Sequence, residues 1–124
     1  MIQILKASAG SGKTYNLARE YIRLLLQARD PQAYRHILAV TFTNKATDEM
    51  KRRILQELFL LASDPASSGY REDFIPSVFP SEDALRRRAS MQLSGILHDY
   101  SAFSVSTIDK FFQQTLRAFS REIG

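Results

Sequence analysis

The sequence contains no cysteine and only two histidines, His36 and His98. Without cysteine there is no disulfide framework, no thiolate metal site and no thiol nucleophile. Two histidines so far apart give little basis for a histidine zinc site or a Ser-His-Asp triad. No apolar run approaches the ~20 residues that span a bilayer. The opening residues MIQILKASAG lack the apolar core and small-residue cleavage site of a secretory signal. These absences point to a soluble, cytoplasmic protein with no membrane partner.

What remains is an ordinary globular composition. The 124 residues, 44% hydrophobic and 24% charged, suit one domain or a piece of one, and exclude a disordered, collagen-like or coiled-coil chain. The formal charge is +4, from 17 Lys and Arg against 13 Asp and Glu. That balance is compatible with a nucleic-acid partner and equally with a mildly basic domain.

Residues 2–6 are short and apolar and predict a buried first strand. Apolar positions Leu17, Ala18, Tyr21, Leu24, Leu25 and Ala28 predict a helix over 15–28, stopped by Asp30-Pro31. The run Ile37 to Phe42 predicts a second strand, buried on both faces as parallel strands are. A helix from Ala46 carries Met50, Ile54, Leu58 and Leu61 on one stripe with Ala46. Residues 63–80, with Pro65, Gly69, Pro76 and Pro80, predict a loop. Ser81 caps a helix to about Tyr100, with Leu85, Ala89, Leu93, Ile96 and Leu97 inward. Residues 102–106 predict a third strand. Thr107 caps a last helix, in which Phe111, Phe112 and Phe119 read as core. The order β-α-β-α-α-β-α predicts a parallel α/β sheet of three strands flanked by helices.

Between the first strand and first helix lies Ala7-Ser8-Ala9-Gly10-Ser11-Gly12-Lys13-Thr14. A small-residue loop ending Gly-Lys-Thr, after a strand and opening a helix, is the context of a phosphate loop. Its backbone N–H groups converge on an anion, and the helix N-terminus adds positive potential. Gly10 and Gly12 allow close approach to the phosphates. Lys13 would reach the β- and γ-phosphates, and the Thr14 hydroxyl would bind Mg²⁺. Ala7 stands where the strict pattern has glycine. The pattern predicts a nucleoside triphosphate and Mg²⁺ without saying what the energy drives.

Phe42, Thr43, Asn44 and Lys45 follow the second strand, at the carboxyl edge where open α/β sheets bind ligands. Their hydroxyl, amide, ammonium and ring suit single-stranded nucleic acid. They also suit a plain helix N-cap with Phe42 in the core. Ser106-Thr107-Ile108-Asp109 repeats the situation after the third strand. Arg86-Arg87-Arg88 reads as a solvated helix face.

Together these segments resemble the N-terminal part of superfamily 1A DNA helicases, the UvrD/Rep/RecB/AddA group. KASAGSGKTYNLAREYIRLLL is similar to helicase motif I and ILAVTFTNKATDEMKRRI to motif Ia. VSTIDKFFQQTLRAF resembles the next DNA-contacting motif, with Asp109 where this family often has His. The opening Ala-Ser-Ala-Gly is most like the RecB/AddA branch. The resemblance implies a P-loop NTPase, RecA-like partial domain over residues 1–124. It implies that Ala7 to Thr14 wrap the ATP phosphates, and that Phe42, Thr43, Asn44, Lys45 and Thr107 touch single-stranded DNA. Further implied partners are the other helicase domains of a longer chain and a second subunit of a helicase-nuclease complex. No apolar strand ending Asp-Glu occurs here, so these 124 residues are expected to be an N-terminal segment without appreciable ATP hydrolysis of their own. A small stand-alone P-loop protein or phosphotransferase, and a non-catalytic nucleic-acid module, are the competing readings.

Overall fold

The computed structural model describes residues 3–6, 11–75 and 78–123. Strand β1 is Gln3–Lys6, followed by α1, Ser11–Gln27. A 3₁₀ turn, Ala33–His36, leads into β2, Ile37–Thr41, and α2, Asn44–Ser63. A short α3, Arg71–Phe74, precedes α4, Glu82–His98. Strand β3, Val105–Thr107, runs directly into α5, Ile108–Ile123.

β2 is the middle strand. It pairs in parallel with β1 (Lys6 opposite Val40) and with β3 (Thr41 opposite Thr107). Its β-branched and small apolar residues suit a strand covered on both faces: Ile37, Ala39, Val40 and Thr41 are all buried. Because the strands are parallel, the chain leaves all three at the same edge of the sheet. α2 packs on α4 and α1, which also touch each other. The core between them holds Leu17, Tyr21, Leu25, Met50, Ile54, Leu58, Leu85 and Ile96. Helix starts follow their caps. Thr43 Oγ1 accepts from Ala46 N at 3.0 Å, and Ser81 Oγ accepts from Ala84 N at 3.2 Å.

Several expectations need correction. Residues 63–80 are not simply a loop. They contain a 3₁₀ turn at Pro65–Ser67 and α3, and they bury Tyr70, Phe74 and Phe79 in the core. The anchor is buried Glu57 of α2, whose Oε1 accepts from Ser68 Oγ at 2.8 Å and from Gly69 N at 3.1 Å. The third strand lies at 105–107, because Tyr100–Ala102 closes a 3₁₀ turn first. Leu97 is exposed; at its end of α4 the inward position belongs to Ile96. Arg88 is no solvated side chain. It donates to the carbonyls of Leu26 and Ala28 at 2.9 and 2.7 Å, binding the open C-terminal end of α1 to α4.

The last helix departs furthest. Phe112, Leu116 and Phe119 are 57–62% exposed rather than core. α5 makes its chief contacts with β3 and β2, through its first turns. Burying each of those side chains would contribute about 1.5–3 kcal/mol, which this fold leaves unrealised.

Candidate functional site

The site is the edge at which the three strands end. After β1 come Ala7, Ser8, Ala9 and Gly10, which lie outside the described residues, and then the backbone of α1 from Ser11. Ser11, Gly12 and Lys13 contribute their helical backbone to the first turn of α1, their side chains lying outside the described part. Thr14 follows in that turn. Starting α1 at Ser11 rather than 15 places Gly12, Lys13 and Thr14 at the helix N-terminus, where the helix dipole favours an anion. A cavity of about 230 Å³ beside Thr14 is lined by Glu49, Arg52, Arg53 and Gln56 of α2. The residues present therefore fit a phosphate group. Among the described residues there is no group of three or more His, Asp or Glu that could hold a metal ion.

The start of α1 is also clasped from behind. Tyr70 O–H donates to the Tyr15 carbonyl at 2.7 Å, and Tyr15 O–H donates to the Gly69 carbonyl at 3.1 Å. The two rings lie 4.7 Å apart, and the Arg53 guanidinium sits 5.5 Å from the Tyr15 ring centre. Burial holds the Tyr70 phenol above its ordinary pKa, so it stays a donor.

At the end of β2, buried Thr41 ties three elements together. Its Oγ1 lies 2.6 Å from Thr47 Oγ1, 3.3 Å from the Thr43 carbonyl and 3.4 Å from the Ser106 carbonyl of β3. This fixes the β2–α2 turn and turns its next side chains outward. Phe42 is 63% exposed, and Thr43, Asn44 and Lys45 are exposed with it. Phe42 thus lies outside the core. Thr43 caps α2, and Thr107 Oγ1 accepts from Lys110 N at 3.2 Å to cap α5. Each capping hydroxyl accepts with its oxygen and keeps its proton to donate elsewhere.

Phe42, Thr43, Asn44 and Thr107 line one groove of about 530 Å³, closed on its far side by α5. The structure brings together the two segments that sequence reading placed at separate strand ends. Lys45 is exposed on the same turn but is not part of the groove lining.

The family comparison bears on this edge as a whole. The model of the UvrD/REP helicase N-terminal domain matches residues 2–124. The chain belongs to that family. Among its relatives, RecBCD enzyme subunit RecB of Buchnera aphidicola subsp. Acyrthosiphon pisum (strain APS) is 33% identical over 125 residues, covering 94% of this chain. An ATP-dependent helicase/nuclease subunit of Bacillus pumilus (strain SAFR-032) is 33% identical over 121 residues, 97% of this chain. RecBCD enzyme subunit RecB of Haemophilus influenzae (strain ATCC 51907 / DSM 11121 / KW20 / Rd) is 44% identical over 62 residues, 46% of this chain. The chain spans 10%, 8% and 5% of those proteins, respectively. No solved structure matches it significantly.

Within this UvrD/REP-type domain, sequence reading missed Arg52 and Arg53 beside Thr14 and the Tyr15–Tyr70 clasp. The arginines fall on the polar face of an amphipathic helix, and nothing in their spacing separates them from ordinary surface charge. No helix among the described residues is long and apolar enough to cross a membrane.

Proposed function

We propose that this chain is the ATP-binding and single-stranded-DNA-contacting N-terminal portion of an ATP-dependent DNA helicase or helicase-nuclease. Its work would be DNA repair or recombination in the cytoplasm. The observation that carries this reading is the shared edge. Residues 7–14 and 42–45 follow β1 and β2, and Thr107 ends β3, three parallel and adjacent strands, which supports reading a nucleotide site and a DNA site on one edge. The fold is read as a P-loop, RecA-like partial domain on a three-stranded sheet. The names of the relatives, RecBCD enzyme subunit RecB and an ATP-dependent helicase/nuclease subunit, support the same activity for the whole protein.

In this reading Ala7 to Gly12 give backbone N–H groups to the phosphates, Lys13 pairs with their outer oxygens, and the Thr14 hydroxyl takes a place on Mg²⁺. When bound, Mg·ATP supplies the free energy of hydrolysis that drives movement on DNA. On the DNA side, the Phe42 ring offers a face for an unpaired base, while Thr43, Asn44, Lys45 and Thr107 offer donors to phosphates. Stacking of this kind is worth about 1–3 kcal/mol per base. The other helicase domains and a second subunit complete the machine.

Two titrations test the reading, one with a fluorescent Mg·ATP analogue and one with a labelled oligo-dT strand. Lys13→Ala is expected to abolish nucleotide binding while circular dichroism stays unchanged. Asn44→Ala with Lys45→Ala is expected to weaken DNA binding and flatten its salt dependence, leaving Mg·ATP affinity within about twofold. That pair spares Thr43, whose loss would also remove the α2 cap. Full nucleotide affinity in Lys13→Ala would refute the phosphate-loop assignment.

A further inference from the structure

Helix α2 has a second apolar side. Its inner stripe, Met50, Ile54, Leu58 and Leu61, is buried in the core. On its outer side Asp48, Lys51, Arg52, Leu55 and Phe59 stand at i, i+3, i+4, i+7 and i+11, again one face of a helix. With Tyr100 of the 3₁₀ turn they line a groove of about 620 Å³, about 16 Å long by helix rise. Phe59 is 59% and Tyr100 47% exposed, and Leu55 is half-buried. The cations lie towards the start of the stripe and the apolar side chains towards its end. Lys51 Nζ sits 5.6 Å from the centre of the Tyr100 ring. Neither Lys51 nor Arg52 joins an ion pair among the described residues, and Asp48 is the one carboxylate in the lining.

We propose that this groove docks an acidic amphipathic helix of a partner protein, whose apolar side covers Leu55, Phe59 and Tyr100 and whose carboxylates meet Lys51 and Arg52. The proposal is independent of the nucleotide and DNA readings above. Single apolar side chains on a surface need no explanation, but two exposed rings and a leucine around one concavity mark an interaction surface. Leu55 and Phe59 are i and i+4 on a straight ridge, the spacing that meets a second helix laid alongside. Aromatic and arginine anchors are the side chains that carry most of the energy at such interfaces. Charge selects the occupant: two cations outside any ion pair, against one carboxylate, favour an acidic segment and repel a basic one. That sign argues against a second copy of this chain, because α5, with its exposed apolar stripe, carries three cations against two carboxylates. Nucleic acid fits less well, since Leu55 offers no stacking face and Asp48 would repel phosphates.

Fluorescence anisotropy with the full chain tests the groove. The probe is a labelled helical peptide of about 18 residues, roughly 27 Å long, with leucines on one face and glutamates on the other. A second peptide carries lysine at every glutamate. The glutamate peptide is expected to bind at least about tenfold tighter than the lysine peptide, and less tightly as salt rises. Phe59→Ser should weaken it at least about fivefold. Lys51→Glu should weaken the glutamate peptide and strengthen the lysine peptide. Both variants should keep the wild-type circular dichroism and bind Mg·ATP within about twofold of wild type, which separates a failure here from a failure of the nucleotide reading. Arg52 also lines the cavity beside Thr14 and is left intact. Equal affinity for the two peptides, wild-type affinity in Phe59→Ser, or no binding of the glutamate peptide up to about 1 mM overturns the proposal. Displacement of the peptide by oligo-dT would assign the groove to nucleic acid, and a dimer in sedimentation that Phe59→Ser dissociates would assign it to a second copy. Either result also overturns it.

Discussion

Tyr15 and Tyr70 hold each other across 55 residues of sequence. The hydroxyl of Tyr70 bonds the carbonyl of Tyr15, and the hydroxyl of Tyr15 bonds the carbonyl next to Tyr70, that of Gly69. The pair fastens the proline-rich segment to α1, which opens at Ser11. Tyr70→Phe keeps the ring stacking and removes one bond to a backbone carbonyl. It should cost about 1 kcal/mol, seen as a lower midpoint in urea with an unchanged slope.

Tyr21 presents the opposite case. Its ring is fully buried, edge-on to Phe103 at 5.7 Å, yet its hydroxyl finds no partner among the described residues. Burial alone drives its pKa upward, so it remains neutral and unpaired. A buried unpaired hydroxyl costs about 1–3 kcal/mol. Tyr21→Phe is therefore expected to leave stability unchanged or raise it, by up to the same order, in a thermal or urea melt.

Gly95 lies where α4 meets the chain leaving α1. A Cβ there would come within 2.3 Å of the Pro31 carbonyl oxygen and 3.2 Å of the Tyr34 ring. The first clash is with backbone, which cannot swing away as a side chain tip can. Gly95→Ala should destabilise by about 1–3 kcal/mol, although alanine is the better helix former. A rise in the melting midpoint would show that α4 does not approach Pro31 so closely.

Asp99 caps the C-terminal end of α4 and faces two partners: it accepts from Tyr34 O–H at 2.8 Å and from the Arg35 guanidinium. The Tyr34 bond first, then Arg35, holds its carboxyl below the usual value. A depressed carboxylate stabilises the fold above its unfolded pKa, about 3.9, and that contribution is lost as pH falls through the folded value. Asp99→Asn should thus lower the melting midpoint at pH 7. The gap from wild type should close as pH drops below about 4.

Much of the frame was legible because local and global signals agree. Ile37 to Phe42 read as a covered strand, and Ile37 to Thr41 form one with Phe42 exposed beyond its end, while the stripe Met50, Ile54, Leu58 and Leu61 faces inward. Tyr70, Phe74 and Phe79 escaped notice because prolines and glycine break any period among them. Their burial depends on Glu57, a charged residue whose value lies in a turn 11 residues away. The period of α5 identified an amphipathic helix but not which face the fold would cover. At the site, Phe42 to Lys45 and Thr107 could be read from strand–helix junctions.

The central claim is that one sheet edge carries a nucleotide site and a DNA site side by side. Amide shift mapping on ¹⁵N-labelled chain, titrated separately with Mg·ATP and a short oligo-dT strand, tests it most directly. Mg·ATP is expected to move amides within 7–15 and oligo-dT those of 42–45 and 107. Shifts centred instead on a separate groove around Arg35, Ser94 and Asp99, or one shared set for both ligands, would contradict it.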